Sequence, residues 1–483
     1  MQNLVNSING VLWSNYMIYL CLGTGLFLTL GSRLLQVRHI KNMVKLVLNR
    51  ESSERGISSF QAFMIALSGR VGTGNIVGVA TAIAAGGPGA VFWMWILAIL
   101  GAATAFAECT LAQVFKEEKF DQYRGGPAYY IKHGLKIKWL STLFAVVAAV
   151  ALIVLMPGVS SNAISSGLHN AFGINKLISG IIMTAGIGYI IFGGVRRIGR
   201  TAEILVPIMA ILYIGVAILV IVVNISSVPA VFKLIFASAF GKGPVFGGIV
   251  GSAISMGVKR GIYSSEAGMG TAAHHAGAAE VSHPAKQGLV QAFSVYIDTL
   301  MVCTATALMI LLTNAYNVIA PDGGFIVNHL GDVEVGAMFT QKAVETLSPG
   351  FGSAFVAISL VLFAFTSSFA GYYIGETNVA FLVKGEKNKW IFTAIKVIYL
   401  FMLLYSSVNS TTLVWSISDM GVGMMVWLNL VSVLVLSGVV FKTLRDYEDQ
   451  MKQGLDPVFD PKKLGINTTD VWNRDKKKME ETA

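Results

Sequence analysis

Charged residues are scarce in this chain: Asp, Glu, Lys and Arg make up 13% of 483 residues against 54% hydrophobic ones, and mean hydropathy is +0.66. A soluble globule of that composition lacks the polar surface it needs, which excludes a wholly aqueous protein. Cysteine is nearly absent. Cys21, Cys109 and Cys303 each sit inside an apolar run with no paired spacing, so neither a disulfide framework nor a metal or redox motif is present. The chain has no G-x-x-x-x-G-K-[ST] phosphate loop, no H-E-x-x-H zinc helix and no G-x-S-x-G elbow, so ATP-driven transport and the commoner hydrolases lack their parts. The first apolar stretch, Leu12 to Leu30, lacks a basic leading region and a small-residue cleavage site, and reads as a retained span.

What the chain does have is apolar runs long enough to cross a bilayer, about eleven of them, near 12–32, 59–86, 88–115, 139–170, 175–194, 202–224, 246–270, 287–313, 350–383, 390–408 and 412–441. The fold class expected is an all-α integral membrane protein. The net charge of +10 does not point to nucleic acid, because Lys and Arg fall in short clusters between the runs. Arg33, Arg38, Lys41, Lys45, Arg50 and Arg55 follow the first span; others lie at Lys132–Lys138, Arg196–Arg200, Lys384–Lys389 and in the tail. With an odd span count all fall on one side, which predicts an N-terminus outside, a C-terminus in the cytoplasm and a multi-pass cell-membrane protein. The connection from Asn314 to Ser348 carries Asp322, Asp332, Glu334 and Glu345 against Lys342 alone, as an exterior loop does. The tail from Lys442 onward is charged and polar and need not fold.

Two spans are rich in glycine. The second holds Gly69, Gly72 and Gly74, and the seventh holds Gly247, Gly248, Gly251, Gly257 and Gly261. They stand five spans apart. With the first span (1–58) as an accessory, 59–224 and 246–441 become two sets of five, each opening on a Gly-interrupted helix, with 442–483 as tail. An odd set size inverts the second copy. Broken first helices place unwound backbone at the midplane, where half-helix ends meet a carboxylate and freed carbonyls meet a cation. The alternative is that these glycines only let helices pack closely.

At this point the residues resemble a known family. Ser68-Gly-Arg-Val-Gly-Thr-Gly-Asn-Ile76, Gly86-Gly-Pro-Gly-Ala-Val-Phe-Trp93, Gly125-Gly-Pro-Ala-Tyr-Tyr130 and Gly257-Val-Lys-Arg-Gly-Ile-Tyr-Ser-Ser-Glu-Ala-Gly-Met-Gly270 closely resemble the alanine/glycine:cation symporters, also called sodium:alanine symporters. The match runs over nearly the whole chain. It implies a leucine-transporter type of fold, five plus five inverted helices with one extra N-terminal helix, and sodium-coupled symport of a small neutral amino acid without an organic cofactor. It also implies that Gly72, Thr73 and Gly74 bind the substrate through backbone groups, with the Asn75 amide beside them. Sodium would sit between Thr366 and Ser367 and the carbonyls of Ser68 and Val71, an oxygen-only set suited to a hard cation. For Thr366 and Ser367 the competing reading is bonding to their own helix carbonyls, and for Asn75 a packing hydrogen bond.

Two departures from the family bear on the substrate. Ser160 stands where relatives commonly carry Gln, and Gly371 where they carry Trp. Both changes remove volume, which makes glutamine the leading expectation, ahead of alanine, glycine or serine, unless Phe369, Tyr372 or a shifted helix refills the space. Ionisable groups inside spans are costly and are candidates by default. Asp298 either faces a cavity or braces a helix; Glu108, Glu203, Glu266 and Glu376 are expected near cytoplasmic ends, paired with Arg124, Arg197, Arg200 or Arg260. His274, His275 and His283 are expected to be solvated and not metal ligands. Proton-coupled symport is the alternative, and a channel, which lacks a filter motif, ranks below it.

Overall fold

The computed structural model describes residues 2–48, 57–120, 122–242, 246–320, 323–383 and 390–472. Arg50, Arg55, Asp322 and the Lys384–Lys389 cluster lie outside the described residues, as does the tail beyond 472. Each expected apolar run finds a helix, and seven helices among the described residues are long and apolar enough to cross a membrane. Two further apolar spans are bent pairs: α1 (Gln2–Leu12) with α2 (Asn15–Gly31), at 40°, and α4 (Ser59–Arg70) with α5 (Val79–Gly86), at 45°. Between these pairs lies α3 (Ile40–Leu48), an amphipathic helix.

The first set of five is α4/α5, α6 (Gly89–Val114), α7 (Lys138–Phe172), α8 (Lys176–Ile191) and α9 (Gly194–Val223). After α10 (Val228–Ala239) the second set begins with α11 (Val250–Ser265) and α12 (Thr271–Ala278), continues with α13 (Pro284–Leu312) and, past α14 (Ala337–Glu345), ends with α15 (Phe351–Leu382), α16 (Trp390–Ser407) and α17 (Thr411–Val435). Each set opens with a broken helix, which is the five-plus-five arrangement expected. Helices α4, α6, α11, α13 and α15 form the core. The outer helices keep apolar faces uncovered: Ile211 of α9 is 72% exposed, a surface that suits hydrocarbon and not water.

Local chemistry fixes the ends. A capping box starts α4: Ser58 Oγ accepts from Gln61 N–H, and Gln61 Oε1 accepts from Ser58 N–H. Ile57 pairs with Ala279 in a parallel bridge, tying the start of α4 to the end of α12. The Lys132 and Arg196 connections lie at this end of the bundle, with a hairpin of β1 (Glu117–Glu118) and β2 (Tyr123–Arg124). The opposite end carries a second hairpin, β3 (Asn317–Ile319) with β4 (Phe325–Asn328), and α14.

Three segments differ from expectation. Helix α10 lies in a stretch assigned to no span. The eleventh span ends at Val435, and a separate helix α18 (Ser437–Lys452) follows. The tail packs down through residue 472: Phe459 and Trp472 are buried, Trp472 Nε1 donates to Gln113 O at 3.0 Å, and Phe459 N–H donates to Ser282 O at 3.0 Å. Its few apolar side chains were hidden in a charged composition.

Candidate functional site

Helix α4 stops at Arg70, Val71 and Gly72 form a bend, and the helix restarts at Thr73 into a π-turn over Gly74–Gly78. The break frees backbone groups, and Asn75 answers one of them: its Oδ1 accepts from Gly72 N–H at 2.9 Å. Gly74 lets the break press on α11: a Cβ there would lie 3.2 Å from Ser264 Cα, a tight contact. The second break falls later than the glycines suggested. Gly257 and Gly261 sit inside α11 pressed on α6, where a Cβ would lie 2.5 Å from Trp93 Cβ and 2.7 Å from Leu97 Cδ2 respectively, so close packing explains them. The chain unwinds at Glu266–Gly270, with φ of +55° at Glu266, +100° at Gly268 and +76° at Gly270.

A cavity with about 50 Å³ of water-accessible space lies between the breaks, room for a few waters. Gly72, Thr73 and Gly74 line it from one side, and Ser160 and Ser367 from another, their hydroxyls 3.4 Å apart. Gly371 borders the same space. The expected substrate residues thus converge, except Asn75, whose amide is turned away. Of the expected sodium ligands only Ser367 reaches the cavity, where it faces Gly72; Ser68, Val71 and Thr366 are buried outside its lining. All three hydroxyls bond to their own helices: Ser68 to Ile65 O at 2.7 Å, Thr366 to Phe363 O at 3.0 Å and Ser367 to Ala364 O at 3.3 Å.

Sequence reasoning singled out Glu266 but did not place it at this cavity, and missed Arg70. Arg70 and Glu266 both line it. Arg70 NH1 donates to Gln291 O at 2.8 Å and to Ser294 Oγ, but its Nε and NH2 have no partner among the described residues. Glu266 accepts from Thr271 Oγ1 at 2.9 Å. One cation and one anion facing a small cavity match the two ends of a zwitterion. Glu266 is at a helix break, not at a cytoplasmic end, and Glu108 accepts from Asn429 Nδ2 with no arginine bonded to it. The Glu376 pairing with Arg124 is present at 3.2 Å, whereas Arg260 pairs with Asp419. The nearest partner of Glu203 is Gln61 Nε2, at 3.5 Å.

Asp298 braces. Its carboxylate accepts from Asn75 Nδ2 at 2.7 Å, from Ser264 Oγ at 2.9 Å and from Thr299 Oγ1 at 2.6 Å, in a fully buried cluster completed by Cys303. Both Asn75 and Asp298 lie in π-turns, Gly74–Gly78 and Tyr296–Cys303, whose extra residue resets which side chains face each other. The three histidines are buried, not solvated. His274 contacts Asn378 Nδ2 at 2.8 Å, His275 stacks on Tyr373 at 5.5 Å, and His283 contacts Asp446 at 3.3 Å. Because α12 continues past the break, His274 and His275 are inside the bundle.

Residues 1–461 match the model of the sodium:alanine symporter family. The chain belongs to that family. It is 53% identical over 440 residues to the sodium/proton-dependent alanine carrier protein of Bacillus sp. (strain PS3), covering 91% of this chain and 99% of that one. To the probable sodium/glutamine symporter GlnT of Bacillus subtilis (strain 168) it is 44% identical, with 95% and 93% covered. Among solved structures, that of MhsT in complex with L-phenylalanine superposes with a TM-score of 0.56 at 16% identity, covering 81% of this chain and 99% of that one, a likeness of fold. This symporter-family member is therefore a cation-coupled amino-acid transporter and not an enzyme.

Proposed function

We propose that this transporter couples inward sodium movement to uptake of a small neutral amino acid, alanine first. The observation that carries the reading is the Gly72–Gly74 break opening on a cavity that holds Arg70 and Glu266 in about 50 Å³ of water-accessible space. Unpaired N–H groups of Arg70 suit the substrate carboxylate, Glu266 suits its ammonium, and so small a space suits a methyl side chain. The cation binds at Asp298, where the Ser264 and Thr299 hydroxyls supply hard oxygen ligands beside the carboxylate and Asn75 orients it through Nδ2, with Ser367, Thr366 and the Ser68 and Val71 carbonyls as a second position. The basic end faces the cytoplasm and the N-terminus lies outside. Transport proceeds by alternating access, each ligand raising the affinity for the other.

Glutamine is the second reading, favoured by the likeness to GlnT and by Gly371, where a side chain is absent. Uptake of labelled alanine and glutamine into proteoliposomes separates them under a sodium gradient, a potassium gradient or a pH gradient. Alanine accumulation driven by sodium and abolished in Asp298→Asn supports the proposal. Accumulation driven by the pH gradient alone transfers the coupling to protons, and no gradient-driven uptake of any neutral amino acid refutes it.

A further inference from the structure

We propose that Tyr399 is a specificity-determining residue that sets the upper size of the substrate, an inference that rests on the amino-acid reading above. Most of α16 is peripheral, with Val397, Phe401 and Tyr405 each more than half exposed, yet Tyr399 turns inward and lines the substrate cavity. It is 1% exposed. Its hydroxyl donates to Ser368 O at 2.5 Å, using the spare lone pair of a helix carbonyl, and the ring of Tyr372 meets it edge-on at 5.4 Å. Two contacts thus fix the ring.

The fixed ring stands where the cavity would otherwise widen. A Cβ placed on Gly371 would lie 4.0 Å from Tyr399 Oη and 3.7 Å from Leu152 Cδ1, and nothing else comes within 4 Å. Leu152 belongs to the π-turn Ala151–Leu155 of α7, about two turns before Ser160. Beyond Gly371 the cavity is therefore bounded by Tyr399 of α16 and by Leu152 of α7, the helix that also carries Ser160. Glutamine adds a methylene and a carboxamide to the alanine side chain. In this corner the carboxamide meets the Leu152 isobutyl group and a phenol whose hydroxyl proton is already given to Ser368 O, with no amide to pair with it.

The test is the ratio of glutamine to alanine uptake, and of their inhibition constants, in proteoliposomes under an inward sodium gradient. Tyr399→Ala and Leu152→Ala, which open the same corner from two helices, are expected to shift the ratio toward glutamine by about ten-fold or more, while Tyr399→Phe keeps the wild-type ratio because the ring stays. Ligand-induced thermal stabilisation of the detergent-purified variants gives the same ratio from binding if a variant no longer transports. An unchanged ratio in both openings, or a wild type that takes glutamine as readily as alanine, overturns the proposal while leaving amino-acid symport intact. A wild type that takes up neither overturns the underlying reading instead.

Discussion

Replacing Asp419 by Asn removes the carboxylate that bonds the adjacent cations Lys259 and Arg260. Lys259 Nζ lies 2.7 Å from Asp419 Oδ2, and Arg260 bonds both oxygens, at 3.1 and 3.0 Å. The Asp419 and Arg260 side chains are 5% and 7% exposed, so water screens little of the interaction. Breaking one partner of a buried pair leaves an unanswered charge and costs roughly 3–5 kcal/mol. Asp419→Asn leaves two cations unanswered and belongs at the top of that range. Arg260→Ala leaves Asp419 with Lys259 and costs less, and Lys259→Ala, whose side chain is more exposed, costs least. Transport should suffer in the same order. The Arg260 guanidinium lies 4.7 Å over Trp415, which packs on Tyr263 at 4.8 Å; Tyr263 lines the substrate cavity, and Trp415 lines the cavity at the hairpin end with Gly336 and Thr411. The ion pair holds the aromatic lid between the two. Thermal unfolding in detergent, with uptake measured in parallel, gives the ranking. Asp419→Asn as stable as the wild type, or less harmful than Arg260→Ala, refutes this reasoning.

Gly270→Ala should fail to reach the membrane at the wild-type level, because Gly270 has φ +76° and a Cβ would lie 2.3 Å from Pro127 Cγ; Gly173→Ala, at φ +67° but in open space, should cost only about 1 kcal/mol, and membrane yield compares the two. Burial alone would raise the Glu117 carboxyl, but hydrogen bonds and charge from His133 and Lys132 outweigh it and hold it at about 2. Its contribution is therefore complete above pH 4.5, the ordinary value, and is lost as pH falls toward 2. Unfolding temperatures measured down that window should fall further for the wild type than for Glu117→Gln, by an amount near 1 kcal/mol. Trp472→Ala should release the tail segment that it pins through Gln113 O and, under the Lys116 ammonium, at 4.6 Å, so that trypsin cuts faster at Lys462 and Lys463; equal cleavage rates would count against the pinning.

The parts of this fold written in apolar runs were legible. Nine of the expected spans coincide with membrane-crossing helices or bent helix pairs among the described residues, since a twenty-residue apolar stretch has few alternatives in a bilayer. The first break was legible too, because Gly72 and Gly74 interrupt a helix that has no other source of irregularity. The second was not. Its turn begins at Glu266, a residue with no preference for φ of +55°, and the glycines nearby that caught attention serve packing against α6. The chemistry of the centre was least legible of all. Asn75 and Asp298 are 223 residues apart and meet because two π-turns reset their registers, a feature no hydropathy pattern records. Likewise the volume missing at Ser160 and Gly371 was visible, but the ring that bounds the cavity beyond Gly371 comes from α16.

Interior charge explains why a cation must travel with the amino acid. Glu108, Glu266 and Asp298 are buried around the two breaks, and Arg70 is the cation that faces all three. Ionised together they leave two negative charges uncompensated, and a zwitterion adds no net charge. An unanswered charge costs several kcal/mol in such surroundings, so the closed centre requires positive partners, as sodium or as protons. Asn75 supplies the mechanical link. Its Nδ2 holds Asp298 while its Oδ1 holds the Gly72 N–H in the break, so at the cation site proposed above a cation would compete for the same carboxylate oxygens and alter how Gly72 presents its backbone to the proposed substrate. By linkage the reverse follows: an amino acid that fixes the break also fixes Asn75, and with it the oxygen set that receives the cation.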